Sequence, residues 1–402
     1  MEKMTHKKRL VFVVEYLGYD VNSTSYYWTK ILESLAKGYE VLVITPNYET
    51  NINYLKDSNF CYILYGSGTF YKSNMLKRLW SYIKFSFSFN QAAKSQIVEG
   101  DILISGTNSI FNMFFLSRFK RNLNVNWLLF GYDIFPENLV PANVVSASNP
   151  IYKITSALFS RLYSNPDDIV AVGRDMQNLL EFKVKGKSRV HYIPNWADHT
   201  QIEMMPKKES DILNEINFSD DSAVVFQFFG NLGLLQDVNG ILESIKLSKA
   251  KNAKFIFIGR GTESQNIAAM VKSTNDTRVH FYGECDMSSK DLALSSCDVA
   301  LVTLKKGMKG LAVPSKSYFS LAANKPILVV GDDGAELRLL VDEHPIGWSC
   351  NAGDPYALAS LIDSICEKPD RIKDFTPREC LMNNFPECHS LDAIGKLIQR
   401  YN

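Results

Sequence analysis

Val313-Pro314-Ser315-Lys316 follows the apolar run VALVTL (299–304) and opens the helical stretch SYFSLAANKP. A lysine in the first turn of a helix faces the positive end of the macrodipole, at a cost of roughly 0.3–1 kcal/mol, unless an anion is held there by the free amides. A phosphate would reverse the sign. The bland alternative is an ordinary start, with Pro314 and Ser315 as initiator and cap and Lys316 turned to solvent. Other residues favour the anion. FFGNLGLLQD sets Gly230, Asn231 and Gly233 directly after a strand-like run, where bare backbone can approach a pyrophosphate. FIFIGRGTE sets Gly259, Arg260, Gly261 and Glu263 after the next run, and YGECDMSS (282–289) brings Asp286 and Met287, a loop able to line a base with backbone groups. Each glycine alone reads as a tight turn. Their succession, ending in a lysine, reads as a phosphate-handling sheet edge.

That edge requires strands to build it. From residue 223 short β-branched or aromatic runs alternate with helical stretches, the strands falling at 223–230, 254–259, 279–283, 299–304, 326–331 and 346–350. DVNGILESIKLSKA, TESQNIAAMVK, SSKDLALSS, SKSYFSLAA, AELRLLVDE and DPYALASLIDSICEK fill the gaps with helical spacing, Asp354-Pro355 forming a cap with proline at the first helical position. The first half repeats the scheme at 9–16, 40–46, 61–66, 101–106, 125–133, 168–173 and 189–195. Such alternation predicts two parallel sheets covered on both faces, an α/β class. The length of 402 residues independently suggests two domains of roughly 200 residues each. We place them at 1–196 and 197–387, joined through the polar stretch after Trp196, with a terminal helix at 388–402 returning to the first.

Composition narrows the chemistry. With 44 basic against 43 acidic side chains no global field recruits nucleic acid, so anion binding must be local. Seven cysteines without CxxC spacing argue against a disulfide framework or a zinc site. No apolar run approaches the length of a membrane span, and Glu15 and Asp20 interrupt the basic, apolar start, so a cytoplasmic protein is expected. A dinucleotide fingerprint after the first strand of either half, a Walker loop and a GxSxG elbow are all missing.

The order FFGNLG, FIFIGRGTE, VHFYGE, SSCDVALVTL, VPSKSYFSLAANKPILVV, GWSCNAGDPYALASLI closely resembles the nucleotide-sugar domain of family 4 retaining glycosyltransferases. IPNWAD (193–198), GYDIFPENL (131–139) and the start at 16–45 resemble bacterial enzymes that build O-antigen and capsular repeat units, including aminosugar transferases of the WbuB type. The resemblance implies the GT-B fold, two doubly wound Rossmann-like domains facing each other across a cleft. It also implies a nucleoside-diphosphate sugar donor, UDP favoured over GDP and the sugar possibly N-acetylated, and retention of configuration. Carried over by position, Gly230 and Asn231 approach the pyrophosphate, Ser315 and Lys316 bind it, and Gly259 and Gly261, with Asp286 and Met287, flank the base; Gly233, Glu263 and Pro314 complete the expected donor-binding set. The paired glutamates of the family stand here as Leu311 and Phe319, and the basic residues of its glycine loop as Asn231 and Gln236, which leaves Lys316 as the main cation.

Asp133, at the end of the run 125–133, is the acceptor-side candidate for a base or orienting group, its alternative being a cap for the turn before Pro136; Glu137 and Glu15 are lesser candidates. GTFYKSNMLKRLWSYIKFSFSF interleaves Lys72, Lys77, Arg78 and Lys84 with Trp80 and other aromatics. This suits a helix lying on the anionic inner face of the plasma membrane, where a lipid-linked saccharide acceptor would be met; a helix packed on the sheet with its basic face in water has the same period. An epimerase of the same architecture and a non-catalytic nucleotide-sugar-binding protein are the competing functions. Fixed cations and amides can meet the charge on a departing diphosphate without a metal, so no cofactor is expected. Turnover in the presence of a chelator should match turnover without it, and rescue by manganese would overturn that expectation.

Overall fold

The computed structural model describes residues 8–66, 75–107, 110–285 and 290–401, with the side chains of 75–79, 274 and 290 left outside the description. Residues group into two units, one of 1–137, 146–193 and 391–402, the other of 138–145 and 194–390. Seven strands build the first sheet: β1 (Leu10–Val13), β2 (Val41–Pro46), β3 (Cys61–Tyr65), β4 (Ile102–Gly106), β5 (Asn126–Gly131), β6 (Asp168–Ala171) and β7 (Arg189–Tyr192). Their order is β3-β2-β1-β4-β5-β6-β7 and every pairing is parallel, Leu10 sitting opposite both Val41 and Ile102. Central strands are buried on both faces, which is why LVFV, VLVITP and ILISG read as continuous apolar runs. The two edge strands, β3 and β7, begin with exposed residues instead.

The second sheet holds β8 (Val224–Phe229), β9 (Ala253–Ile258), β10 (Val279–Gly283), β11 (Val299–Thr303), β12 (Ile327–Gly331) and β13 (Gly347–Asn351), ordered β10-β9-β8-β11-β12-β13 and again all parallel. All thirteen strands fall on the runs anticipated from sequence. Phe226 stacks on Phe255 at 5.2 Å and Phe228 on Phe257 at 6.2 Å, joining β8 to β9 through side chains that each contribute on the order of 1.5–3 kcal/mol by burial. Asp354 caps the helix Pro355–Glu367 through the Ala357 amide. Arg278 ties a helix end to the sheet, donating to the carbonyls of Ile245, Ser248 and Ala250 while Asp276 holds its other side.

Each sheet reverses direction once, between β1 and β4 and between β8 and β11. The carboxyl ends flanking such a reversal diverge into loops and leave a crevice, the usual ligand position in this class. Asn51, fully buried, shapes the first crevice. It accepts the Leu17 amide and donates to the Glu15 carbonyl, Thr45 and the Pro46 carbonyl.

The helix Glu387–Gln399 leads to Tyr401, whose hydroxyl donates to Asp168 at 2.5 Å. Lys8 in turn donates to the Tyr401 carbonyl. Burial would push the Asp168 carboxyl up, but hydrogen bonds from His191, Arg189 and Tyr401 outweigh it and hold the group well below the usual carboxylate range. A depressed carboxyl stabilises the fold above its unfolded pKa, near 4, and loses that stabilisation as pH falls through its folded value. Tyr401→Phe should therefore cost about 1.5–3 kcal/mol at neutral pH, with the deficit shrinking in acid, as read from urea midpoints across pH.

Candidate active site

The second crevice is walled by the turns that leave β8 and β9. Gly230 has a φ of +126° and its amide donates to the Ile258 carbonyl. A Cβ on Gly259, where φ is +144°, would lie 1.8 Å from the Gly230 oxygen, and one on Gly261 would lie 2.2 Å from the Leu232 oxygen. Neither clash can be relieved by a side-chain rotation, because both obstacles are backbone. These glycines let two turns lie against each other, laced by Leu232 N–H to the Arg260 carbonyl and Glu263 N–H to the Leu232 carbonyl. Gln236, which replaces an expected cation, instead accepts the Gly233 amide at 3.1 Å and fixes the loop's curvature. Thr303 donates to the Gln236 carbonyl and Lys305 N–H to the Leu235 carbonyl, so the loop is pinned across the reversal to the end of β11.

Lys316 begins the helix Lys316–Ala322. Ser315 takes helical dihedrals and its side chain makes no capping bond, so the ordinary cap arrangement is not formed. The lysine does not turn to solvent either. Its stem passes beneath Gly230, where a Cβ would sit 3.8 Å from the lysine Cδ, and its Nζ stands 3.3 Å from the centre of the Phe228 ring. That nitrogen is buried without a hydrogen-bond partner among the described residues. Desolvation pulls its pKa down to about 7, and the ring face returns only part of the lost hydration. A buried ammonium lacking an acceptor is rare in a native fold, and an anion in the crevice would supply one.

Other anticipated positions fall around this core. Asn231 is exposed at the rim, and Glu263 leads into the helix Ser264–Thr274. Arg260 pairs with Glu284 at 2.9 Å on the surface, joining the ends of β9 and β10. Asp286 and Met287 lie outside the described residues, as does Lys72; the side chains of Lys77 and Arg78 are likewise undescribed. Leu311 and Phe319, which replace glutamates, are packed inward with 5% exposure each, so those positions serve the core. Beside Pro314 a small, mostly apolar pocket is lined by Leu304, Met308, Val313 and Glu336. Phe228 and the buried carboxylate Glu336 were missed from sequence. An aromatic within a strand run and an acid in a helical first turn look alike whether or not they face a site.

In the first unit Asp133 follows β5. Thr107, after β4, accepts both the Tyr132 and Asp133 amides at 3.2 Å and so sets the turn. The Asp133 side chain reaches solvent, yet enough protein surrounds it that desolvation raises its carboxyl to about 6. Tyr132 stacks with Tyr27 at 6.4 Å and meets Trp28 edge-on at 5.8 Å, giving this strand end an aromatic setting. Glu137 is engaged elsewhere, accepting Lys183 at 2.5 Å and Ser156 at 2.8 Å, which makes it a structural carboxylate. Trp80 and Lys84 are exposed on the helix Met75–Ala93.

Residues 209–379 match the family described as Glycosyl transferases group 1. The probable glycosyltransferase WbjE of Pseudomonas aeruginosa is 35% identical over 404 residues, covering 97% of this chain and 98% of that protein. WcaI of Escherichia coli, a putative colanic acid biosynthesis glycosyl transferase, is 21% identical over 182 residues, 45% of this chain and 44% of its own. Among solved structures, Anabaena HepE in complex with UDP and glucose superposes with a TM-score of 0.71 at 13% identity, covering 98% of this chain and 100% of its own, a likeness of fold.

Removing the buried charge should alter stability in a defined direction. The Lys316 pKa is lowered in the folded chain, so the unfolded chain holds more protons between about pH 7 and 10, and the penalty of burial fades as pH rises through that window. Lys316→Met should melt above the parent protein at pH 6–7, on the scale of ~2–4 °C per kcal/mol, with the gap closing toward pH 10.

Proposed function

The chain belongs to the group 1 glycosyl transferases, and from that premise we propose that its second unit holds a nucleoside-diphosphate sugar with the diphosphate against Lys316 and the Gly230 turn. The observation that carries this reading is the buried, unpartnered ammonium beneath bare backbone. UDP in the complex of HepE makes uridine the favoured base. The base would lie toward the turns of Gly259, Gly261 and Glu263, and Asp286 and Met287, which follow β10 in sequence, are proposed to take part in holding it. The acceptor is proposed to be a lipid-diphosphate-linked saccharide and the donor sugar an N-acetylated aminosugar, in a family 4, WbuB-type enzyme of O-antigen or capsule assembly. The colanic acid role in the name of WcaI supports a place in surface polysaccharide synthesis.

Transfer breaks the bond between the anomeric carbon and the diphosphate oxygen and forms one to the acceptor hydroxyl. Negative charge grows on the departing diphosphate as that bond lengthens. An ammonium already stripped of water, with preorganised amides, stabilises this growth without reorganisation, and no metal is required of the residues present. With retention the acceptor approaches the face that the diphosphate leaves, so a phosphate oxygen can receive the hydroxyl proton. Asp133 orients the acceptor; its raised pKa suits a proton acceptor near neutrality should the product be inverted. The helix Met75–Ala93, with Trp80 and Lys84 exposed and Lys72, Lys77 and Arg78 nearby in sequence, is proposed to rest on the anionic cytoplasmic membrane surface. Among the described residues no helix is long and apolar enough to cross a membrane.

A diphosphate bound at Lys316 should hold its proton, so binding takes up protons and affinity falls as pH rises above about 7. Calorimetry of UDP in buffers of differing ionisation heat measures that uptake, and its absence would remove the lysine from the diphosphate. Lys316→Ala should abolish thermal stabilisation by UDP and lower donor turnover by about 10²–10³-fold. If neither UDP nor GDP, free or bearing a sugar, stabilised the parent protein, the donor site itself would be misassigned.

A further inference from the structure

The helix Pro150–Tyr163 carries an apolar stripe that the reading above does not use. Ile151, Ile154 and Leu158 stand at i, i+3 and i+7 with exposures of 73%, 70% and 41%, while Phe159, Leu162 and Tyr163 bury another side against the unit. A surface helix normally turns polar residues outward. Here the outward residues are aliphatic, joined by exposed Lys153 and Arg161. Residues 138–166 contain neither Asp nor Glu.

Neighbouring helices extend the pattern. Phe159 meets Phe114 of the helix Asn112–Leu123 at 5.8 Å, and Phe115 of that helix meets Phe87 of Met75–Ala93 at 5.5 Å. These three helices connect β3 to β4, β4 to β5 and β5 to β6, all steps in one direction along the sheet, so right-handed crossovers place them on one face. That layer exposes Trp80 and Phe87 at one end and Ile151, Ile154 and Leu158 at the other, with Arg118 and Arg121 exposed on the helix between. None of the three helices contains an acidic residue.

We propose that Pro150–Tyr163 is a second membrane contact, its aliphatic stripe entering the interface of an anionic bilayer while Arg118, Arg121, Lys153 and Arg161 meet lipid phosphates. The proposal rests on the peripheral-membrane reading given above and adds a separate anchor to it. Charge decides the occupant. A second copy of this chain meeting the same face about a two-fold axis would set these cations against their own counterparts, whereas anionic headgroups complement them.

Flotation of the full-length protein with phosphatidylcholine vesicles, with and without phosphatidylglycerol, tests it. The parent protein should bind the anionic vesicles and release them in high salt. Ile151→Asp with Ile154→Asp should weaken that binding about tenfold or more, while the far-UV and near-UV circular dichroism and the urea midpoint stay close to those of the parent and show that the first unit remains folded. Equal flotation of the double variant and its parent would overturn the second anchor. So would a parent dimer, seen by light scattering, that the double variant converts to monomer. Trp80→Ala separates the two readings: if it releases the protein and the double variant does not, the first helix binds alone and this proposal fails. If the parent never floats, the peripheral reading fails together with it.

Discussion

A lysine amine held out of water without a hydrogen-bond partner among the described residues is the constraint around which the second unit is arranged. Lys316 can lie under the β8 turn only because residue 230 carries no side chain, and that turn can lie against the next only because Gly259 and Gly261 carry none. Phe228 offers the nitrogen a ring face in place of solvent, and Gln236 and Thr303 fix the loop that closes over it. The Lys316 amine is thus poorly solvated within the unit. The lowered pKa reflects that desolvation, and a diphosphate is the ligand class proposed to relieve it.

The first unit uses a different device. Its strand-end carboxylate is held by backbone, through the two amides that Thr107 accepts, so Asp133 is placed without an ion pair among the described residues. Nearby Glu137 shows the contrast. Once paired with Lys183 and Ser156 it braces the fold. Two carboxylates four residues apart thus stand in different settings, one reaching solvent and one engaged by neighbouring side chains.

The same contrast governs the helices. In the second unit the described amphipathic helices turn their apolar stripes to the sheet, as the apolar faces of Val238–Leu247 and Pro355–Glu367 do in one core. In the first unit, Pro150–Tyr163 buries one apolar side and shows another. A stripe in excess of what the core takes up is a statement about surroundings.

The thirteen strands were legible from sequence because a strand buried on both faces must be continuously apolar, and the strand-helix alternation dictated parallel sheets. The glycine turns and the lysine at a helix start were legible as a series for a similar reason, since residue types with narrow conformational or electrostatic tolerance betray their positions. Partnership was not legible. That Lys316 meets a ring instead of water, that Gly259 serves backbone packing, that Leu311 and Phe319 point into the core, and that Glu137 is already occupied are facts about residues distant in sequence. Local sequence determined the elements and the chemistry available at their ends, because backbone propensity and burial period act over a few residues. Tertiary structure alone decided which charge is left without a partner, because desolvation and pairing depend on every neighbour in space.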